Sequence, residues 1–199
     1  MSSRLAYLLS TNPASERTQF SKRILEKIGF DVIIFLAFAH PNKLLSHKLS
    51  MMAIYNMIVH SNQHFIYVFE DDINVLEPIT LDEIIEYEKM ASMFLYLGIC
   101  KIHSHDDRNT YNSPYTVKNK PVKIITGDIR GLHAIGLSKE GAKQLAFACL
   151  ETNELYIDVI LESLLKIYPS QVVRYDLESN HRGHKGIIYQ DRDRFPSTI

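Results

Sequence analysis

The sequence predicts an α/β fold in a single domain, with a mixed central sheet flanked by helices, and three observations carry the prediction. Strand-length apolar runs alternate with helical periodicity from the first residues onward. At 199 residues the chain is long enough for one domain with a sizeable core. One apolar run, Phe65-Ile66-Tyr67-Val68-Phe69, drives directly into Glu70-Asp71-Asp72, which places three carboxylates where a buried strand leaves the core. The composition, 46% hydrophobic and 23% charged, is that of an ordinary globular chain and disfavours disorder or a coiled coil. Lys plus Arg number 22 against 23 Asp plus Glu, so no basic excess exists to hold a phosphate backbone, and nucleic acid is not an expected partner.

Taken in order, residues 5–9 read as a first strand, followed by the turn-rich Ser10-Thr11-Asn12-Pro13-Ala14-Ser15. Residues 16–28 place Phe20, Ile24, Leu25 and Ile28 on one helical face, and Gly29 is positioned to end that helix. Residues 31–39, rich in β-branched and aromatic side chains, complete a β-α-β opening. Residues 45–60 are apolar too continuously for an exposed face and predict a well-buried helix leading into the acidic strand. Thr80-Leu81-Asp82-Glu83 has the form of a capping box, opening a helix to about residue 93. Residues 94–100 read as a strand; residues 101–120 are polar and without periodicity, predicting a long loop beside the site. Short strands follow at 121–126 and 132–137, then a helix capped by Ser138 and reaching about 150, a helix over 155–167, and a last strand over 172–177. The tail carries His181, Arg182, His184, Lys185, Arg192 and Arg194, a basic segment able to close over an anionic ligand.

The amino terminus lacks the apolar length and small-residue cleavage site of a secretory signal. No apolar run reaches the ~18–20 residues that span a bilayer. The expectation is a cytoplasmic protein with no transmembrane segment, for which only peripheral membrane association stays open. Cys100 and Cys149 each sit in an apolar run and read as reduced core residues.

Three like charges side by side repel each other unless something positive shares them. A hard divalent cation such as Mn²⁺ or Mg²⁺ meets that need, because carboxylate oxygens suit it and it keeps positions open for phosphates; an acidic loop after a strand is the plainer reading. Strand alternation puts Glu70 and Asp72 on one side and Asp71 on the other, which makes Asp72 the leading metal ligand and Asp71 a cap or turn acceptor. His181-Arg182-Gly183-His184-Lys185-Gly186 offers a metal ligand or phosphate contacts, or simply solvated loop histidines. Asp158, on a predicted helix, and Asp128, at a strand exit beside glycine, compete as general base. Ser138 reads as an N-cap rather than a nucleophile, and neither a phosphate-binding loop nor a dinucleotide fingerprint is present.

Several blocks, in order along the chain, resemble glycosyltransferase family 25, the group of lipopolysaccharide-biosynthesis and collagen galactosyltransferase-like enzymes. They are Tyr7-Leu8-Leu9 with Glu16-Arg17-Thr18 and Phe20, then Phe69-Glu70-Asp71-Asp72-Ile73, then residues 134–145, then Ile157-Asp158-Val159, and finally Gln190 with Ser197-Thr198-Ile199. The chain departs from the family in its Ser-His pair: Ser46-His47 stands several residues too far upstream of the acids, with Met51 near the expected histidine. The resemblance implies a GT-A-like (Rossmann-like) fold that binds a nucleotide sugar, expected to be a UDP-hexose. It further implies inverting transfer to a glycan, lipopolysaccharide or protein-linked acceptor. Mn²⁺ or Mg²⁺ would be held by Asp72 with Glu70 or Asp71 and a tail histidine, His181. Arg17, Glu70 and Asp71 would contact the donor, and Asp158 would act as base with Asp128 as its rival. The alternatives are a catalytically inactive sugar- or nucleotide-binding relative and a metal-dependent phosphohydrolase.

Overall fold

Alternation along the central strands sorts their side chains into two cores, one on each face of a single mixed sheet. In the computed structural model, which describes residues 3–100, 110–117, 120–126, 130–174, 176–179 and 184–196, the chain runs β1 (Arg4–Ser10), α1 (Glu16–Ile28), β2 (Phe30–Leu36), α2 (Lys43–Val59), β3 (Phe65–Glu70), β4 (Ile73–Val75), α3 (Leu81–Glu88) and β5 (Phe94–Cys100). It continues through β6 (Thr110–Val117), β7 (Lys120–Ile125), β8 (Arg130–Ser138), α4 (Lys139–Glu151), α5 (Ile157–Leu165), β9 (Ser170–Val172), β10 (His184–Gly186) and β11 (Ile188–Gln190). Ala6 and Leu8 of β1 join Phe65, Tyr67 and Phe69 of β3 in a core covered by α1 and α3. Tyr7 and Leu9 join Ile66 and Val68 in the opposite core, covered by α2, α4 and α5. A period of two thus buries both faces, as expected for a sheet clad on both sides.

Among the described residues the large sheet has the order β2-β1-β3-β8-β5-β9-β7-β6, with β10 added beside β5, while β4 and β11 form a separate pair. β1 pairs in parallel with both β2 and β3, and β8 then runs antiparallel to β3. The helices start and stop where local chemistry dictates. The side chains of Ser15, Asn42, Thr80 and Ser138 each accept a hydrogen bond from a first-turn amide, and Gly29, at φ 117°, closes α1 by donating to Leu25 and Glu26 carbonyls. Among the described residues no helix is long and apolar enough to cross a membrane.

Several expectations change. The predicted loop over 101–120 contains β6, a strand paired with β7, although a proline and polar side chains hide its pattern. Residues 101–109 lie outside the described residues. The helix after Thr80 ends at Glu88 rather than near 93. The strand expected over 172–177 is instead β9, because the backbone turns at Arg174, φ 55°, whose guanidinium pairs with Glu77 at 2.8 Å and Asp176 at 3.0 Å. The second helix buries Met51, Ile54, Tyr55 and Ile58 but leaves Leu49 39% exposed, so its apolar content exceeds its buried face.

The three-residue strands β4, β10 and β11 carry too little pattern to be read in advance, yet they position the site. A Cβ at Gly98 would stand 1.8 Å from the Ile188 carbonyl oxygen, so only glycine lets β11 lie across β5. This crossing brings the C-terminal segment back to the acidic end of β3, where the Asp191 amide donates to the Asp72 carbonyl at 2.7 Å.

Candidate functional site

The parallel strands β1 and β3 end at Ser10 and Glu70, and beyond their carboxyl ends lies a cavity of about 490 Å³. Its walls come from the β1 exit (Ser10, Thr11), α1 (Arg17), the β2 exit (Phe38, His40), the first turns of α2 (Lys43, Ser46, His47), the acidic turn and Arg192. Such a crevice outside strand carboxyl ends is where open α/β sheets take ligands.

The three acids do not stand alone. Arg17 Nε lies 2.8 Å from Asp71 Oδ1, and its Nη2 lies 3.3 Å from Asp72 Oδ2. Arg192 Nε approaches the same Asp72 oxygen at 3.2 Å. Neither guanidinium aims an N–H along that oxygen, so Asp72 Oδ2 is compensated by charge rather than by a directed hydrogen bond. The Thr18 hydroxyl donates to Asp71 Oδ2 at 3.0 Å and Ser21 to the Asp71 carbonyl at 2.9 Å, tying the acidic turn to α1. Gln190 Nε2 donates to Glu70 Oε2 and reaches Asp72 Oδ1 at 3.4 Å. His47 Nε2 lies 4.0 Å from Glu70 Oε1.

Burial and charge set the protonation of this cluster. Burial pushes the Asp72 carboxyl up while Arg192 and Arg17 oppose the rise. Glu70, with an amide for its nearest partner, is pushed up to about 8 by burial and by the Asp72 charge, against the pull of Arg192 and Arg17. The His47 imidazole is lowered by burial, with the Asp158 charge opposing.

Behind Gln190 lies a second polar cluster. Cys100 Sγ is 3.3 Å from His184 Nε2, 3.8 Å from His133 Nδ1 and 3.6 Å from Gln190 Oε1. His133 Nε2 faces the Ile188 carbonyl at 3.2 Å, which can only accept, so the hydrogen-bond network assigns that nitrogen the proton and leaves Nδ1 bare. The Gln190 amide donates to His184 Nδ1 at 3.3 Å, which places the His184 proton on Nε2, toward the sulfur. Burial and the charge of Glu70 push the Cys100 thiol up to about 12, so it stays protonated and donates toward Gln190. His133 is pushed down to about 3 by burial and by neighbouring His184, with the Ile188 carbonyl opposing. Cys149 is a core residue as expected, whereas Cys100 backs the site.

Of the residues singled out from sequence, Arg17, Glu70, Asp71 and Asp72 meet in one cavity wall. Asp71 does not point away from its neighbours, because β3 ends at Glu70 and strand alternation stops there. Asp158, in the first turn of α5, accepts from the Gly131 amide at 3.4 Å and the Val159 amide at 3.0 Å; it stands outside the cavity wall, though its charge reaches His47 and Cys100. Asp128 and His181 lie outside the described residues. His47, which stands off the family's spacing, lines the cavity. The signal was available: Lys43, Ser46 and His47 stand at i, i+3 and i+4 just inside the Asn42 cap, one face of a helix N-terminus.

Among the described residues no group of three or more His, Cys, Asp or Glu is arranged to hold a metal ion. Both Asp71 oxygens and both Asp72 oxygens already face a guanidinium, hydroxyl or amide, so the residues as paired do not fit Mn²⁺ or Mg²⁺.

No family model matches the chain, and no curated protein matches it in sequence. Its shape is similar to that of A197 from STIV (TM-score 0.48, 11% identity, covering 85% of this chain and 81% of that one). It is similar as well to a UDP-glucose pyrophosphorylase complexed with UDP-glucose (TM-score 0.49, 9% identity, 85% and 89%) and to HddC from Yersinia pseudotuberculosis (TM-score 0.43, 14% identity, 83% and 87%). These likenesses concern overall shape alone.

Proposed function

We propose that the chain is a single-domain glycosyltransferase of GT-A-like fold that takes a nucleotide sugar, a UDP-hexose on the family resemblance, and transfers the sugar with inversion to a glycan or glycoconjugate acceptor. The observation that supports the reading best is the cluster of carboxylates and guanidiniums at the carboxyl ends of β1 and β3, set in a cavity of about 490 Å³. A cavity of that size suits a ligand of nucleotide-sugar dimensions. Its two arginines offer forked donors to the leaving diphosphate as negative charge develops there. Inversion requires a base on the face of the sugar opposite the leaving group. Asp158 is the proposed base; His47 is its rival, lining the cavity with an imidazole that burial keeps neutral and able to accept a proton.

Thermal unfolding of the chain with a panel of nucleotide diphosphate sugars, followed by assay of nucleotide release with and without glycoside acceptors, tests the reading. A donor at a hundredfold its dissociation constant stabilises the fold by about 2.7 kcal/mol, a clear midpoint shift. A shift by one nucleotide class and acceptor-dependent release are expected. Phosphate release from simple monoesters without nucleotide preference would replace the reading with a phosphohydrolase, and binding without transfer would replace it with a non-catalytic relative.

A further inference from the structure

We infer that this site grips the donor diphosphate with the guanidiniums of Arg17 and Arg192, which occupy the place a divalent cation would take. The inference rests on the donor reading above and deepens it. A carboxylate that ligates Mg²⁺ or Mn²⁺ presents a bare oxygen about 2.0–2.2 Å from the ion, with open coordination positions turned toward the phosphate. Asp72 Oδ2 accepts no directed hydrogen bond, yet it is already flanked by positive charge. Its residue is 0% exposed, and its Oδ2 sits between Arg17 Nη2 at 3.3 Å and Arg192 Nε at 3.2 Å. A dication arriving there would displace two guanidiniums and meet their repulsion.

The layering points the same way. Both arginine side chains keep some surface, 17% and 19%, and line the cavity, while the Asp72 carboxyl behind them keeps 1%. An anion entering from the cavity meets the guanidinium edges first, and the carboxylates act as the struts that aim them.

Both arginines are held in place by the chain around them. Arg17 stands in the first turn of α1, where free amides add positive potential. Arg192 follows Asp191, whose amide bonds the Asp72 carbonyl at 2.7 Å and whose carboxylate accepts from Asn74 at 3.0 Å. The tail is pinned again where Arg194 pairs with Glu16 at 3.0 Å and lies 4.0 Å above the Phe20 ring. Two forks fixed from opposite ends of the chain suit bidentate capture of two linked phosphates.

Calorimetric titration of the full chain with UDP, once in excess EDTA and once in excess Mn²⁺, tests this. Equal affinity in the two buffers is expected, within about threefold, with Arg17→Gln and Arg192→Gln each weakening UDP about tenfold or more, the loss of a charge-assisted contact. If either variant fails to fold because Asp72 is left unpaired, the double variant Arg192→Gln with Asp72→Asn removes the stranded charge and is expected to show the same loss. Binding that requires Mn²⁺ and disappears in EDTA overturns the inference while leaving the donor reading standing. Absence of UDP binding in both buffers overturns the donor reading and the inference with it. Undiminished binding in the arginine variants overturns the inference alone.

Discussion

The front and the back of the site solve the same problem in opposite ways. At the front, Asp71 and Asp72 are buried with Arg17 and Arg192 set against them, and the two guanidiniums oppose the rise that burial imposes on the Asp72 carboxyl. At the back, Cys100, His133 and His184 face one another, and burial drives the thiol up and His133 down until both are neutral. Glu70 lies between the two regimes. Its partner is the neutral Gln190 amide, and its carboxyl holds a proton up to about 8. Burial thus pushes Glu70, Cys100 and His133 toward their neutral forms, whereas at Asp72 two guanidiniums in contact work against it, and the boundary between the two clusters is one glutamine.

Removing the shared acid should break this contrast most severely. Asp72→Ala takes the shared carboxylate from Arg192 and leaves Arg17 with Asp71 alone, and is expected to lower stability by about 3 kcal/mol, read by urea unfolding. A variant as stable as the parent would mean that the front is not charge-paired. Gln190→Ala disconnects front from back, leaving Glu70 and Cys100 each short of a partner; a loss of about 1–3 kcal/mol is expected by the same measurement.

The pH dependence of stability separates the clusters next. Glu70 is raised from 4.5 to about 8 in the folded chain, so the native state binds more protons between those values, and its contribution, full below 4.5, is lost as pH rises through 8. His133 is lowered from 6.5 to about 3, so the unfolded state binds more protons in that window, and stability falls as pH drops below 6.5. Glu70→Gln should flatten the decline on raising the pH from 4.5 to about 8, and His133→Gln the decline on lowering it from 6.5 to about 3. Either variant flattening the other's slope would contradict the division between front and back. The smallest effect belongs to the solvent-facing rim. Arg194, 46% exposed, pairs with Glu16 and covers Phe20, and Arg194→Ala should cost less than about 1 kcal/mol in a thermal scan.

Much of the front was legible because it is local. Glu70, Asp71 and Asp72 are consecutive, and Arg17 stands just inside a capped helix whose period and terminal glycine are plain. The need for positive charge beside three acids was legible too, yet its source was not. A metal ion was the expected answer, and the structure adds two guanidiniums, Arg17 and Arg192, against the acids. The back was illegible. Cys100 looks like any cysteine in an apolar strand, and nothing near it in sequence announces His133 and His184.

By itself, then, the sequence determined the α/β class, the caps, the two-faced burial of β1 and β3 and the acidic exit of β3. Each of these depends on residues within a few positions of one another, through periods of two or 3.6 and hydrogen bonds inside a turn. The tertiary structure alone decided which groups the acids meet. Gln190 and Glu70 are 120 residues apart, and their contact depends on Gly98 admitting β11 across β5, a steric permission that no local pattern records. Side-chain protonation follows from the same cause, since burial and opposing charge are set by neighbours distant in the chain.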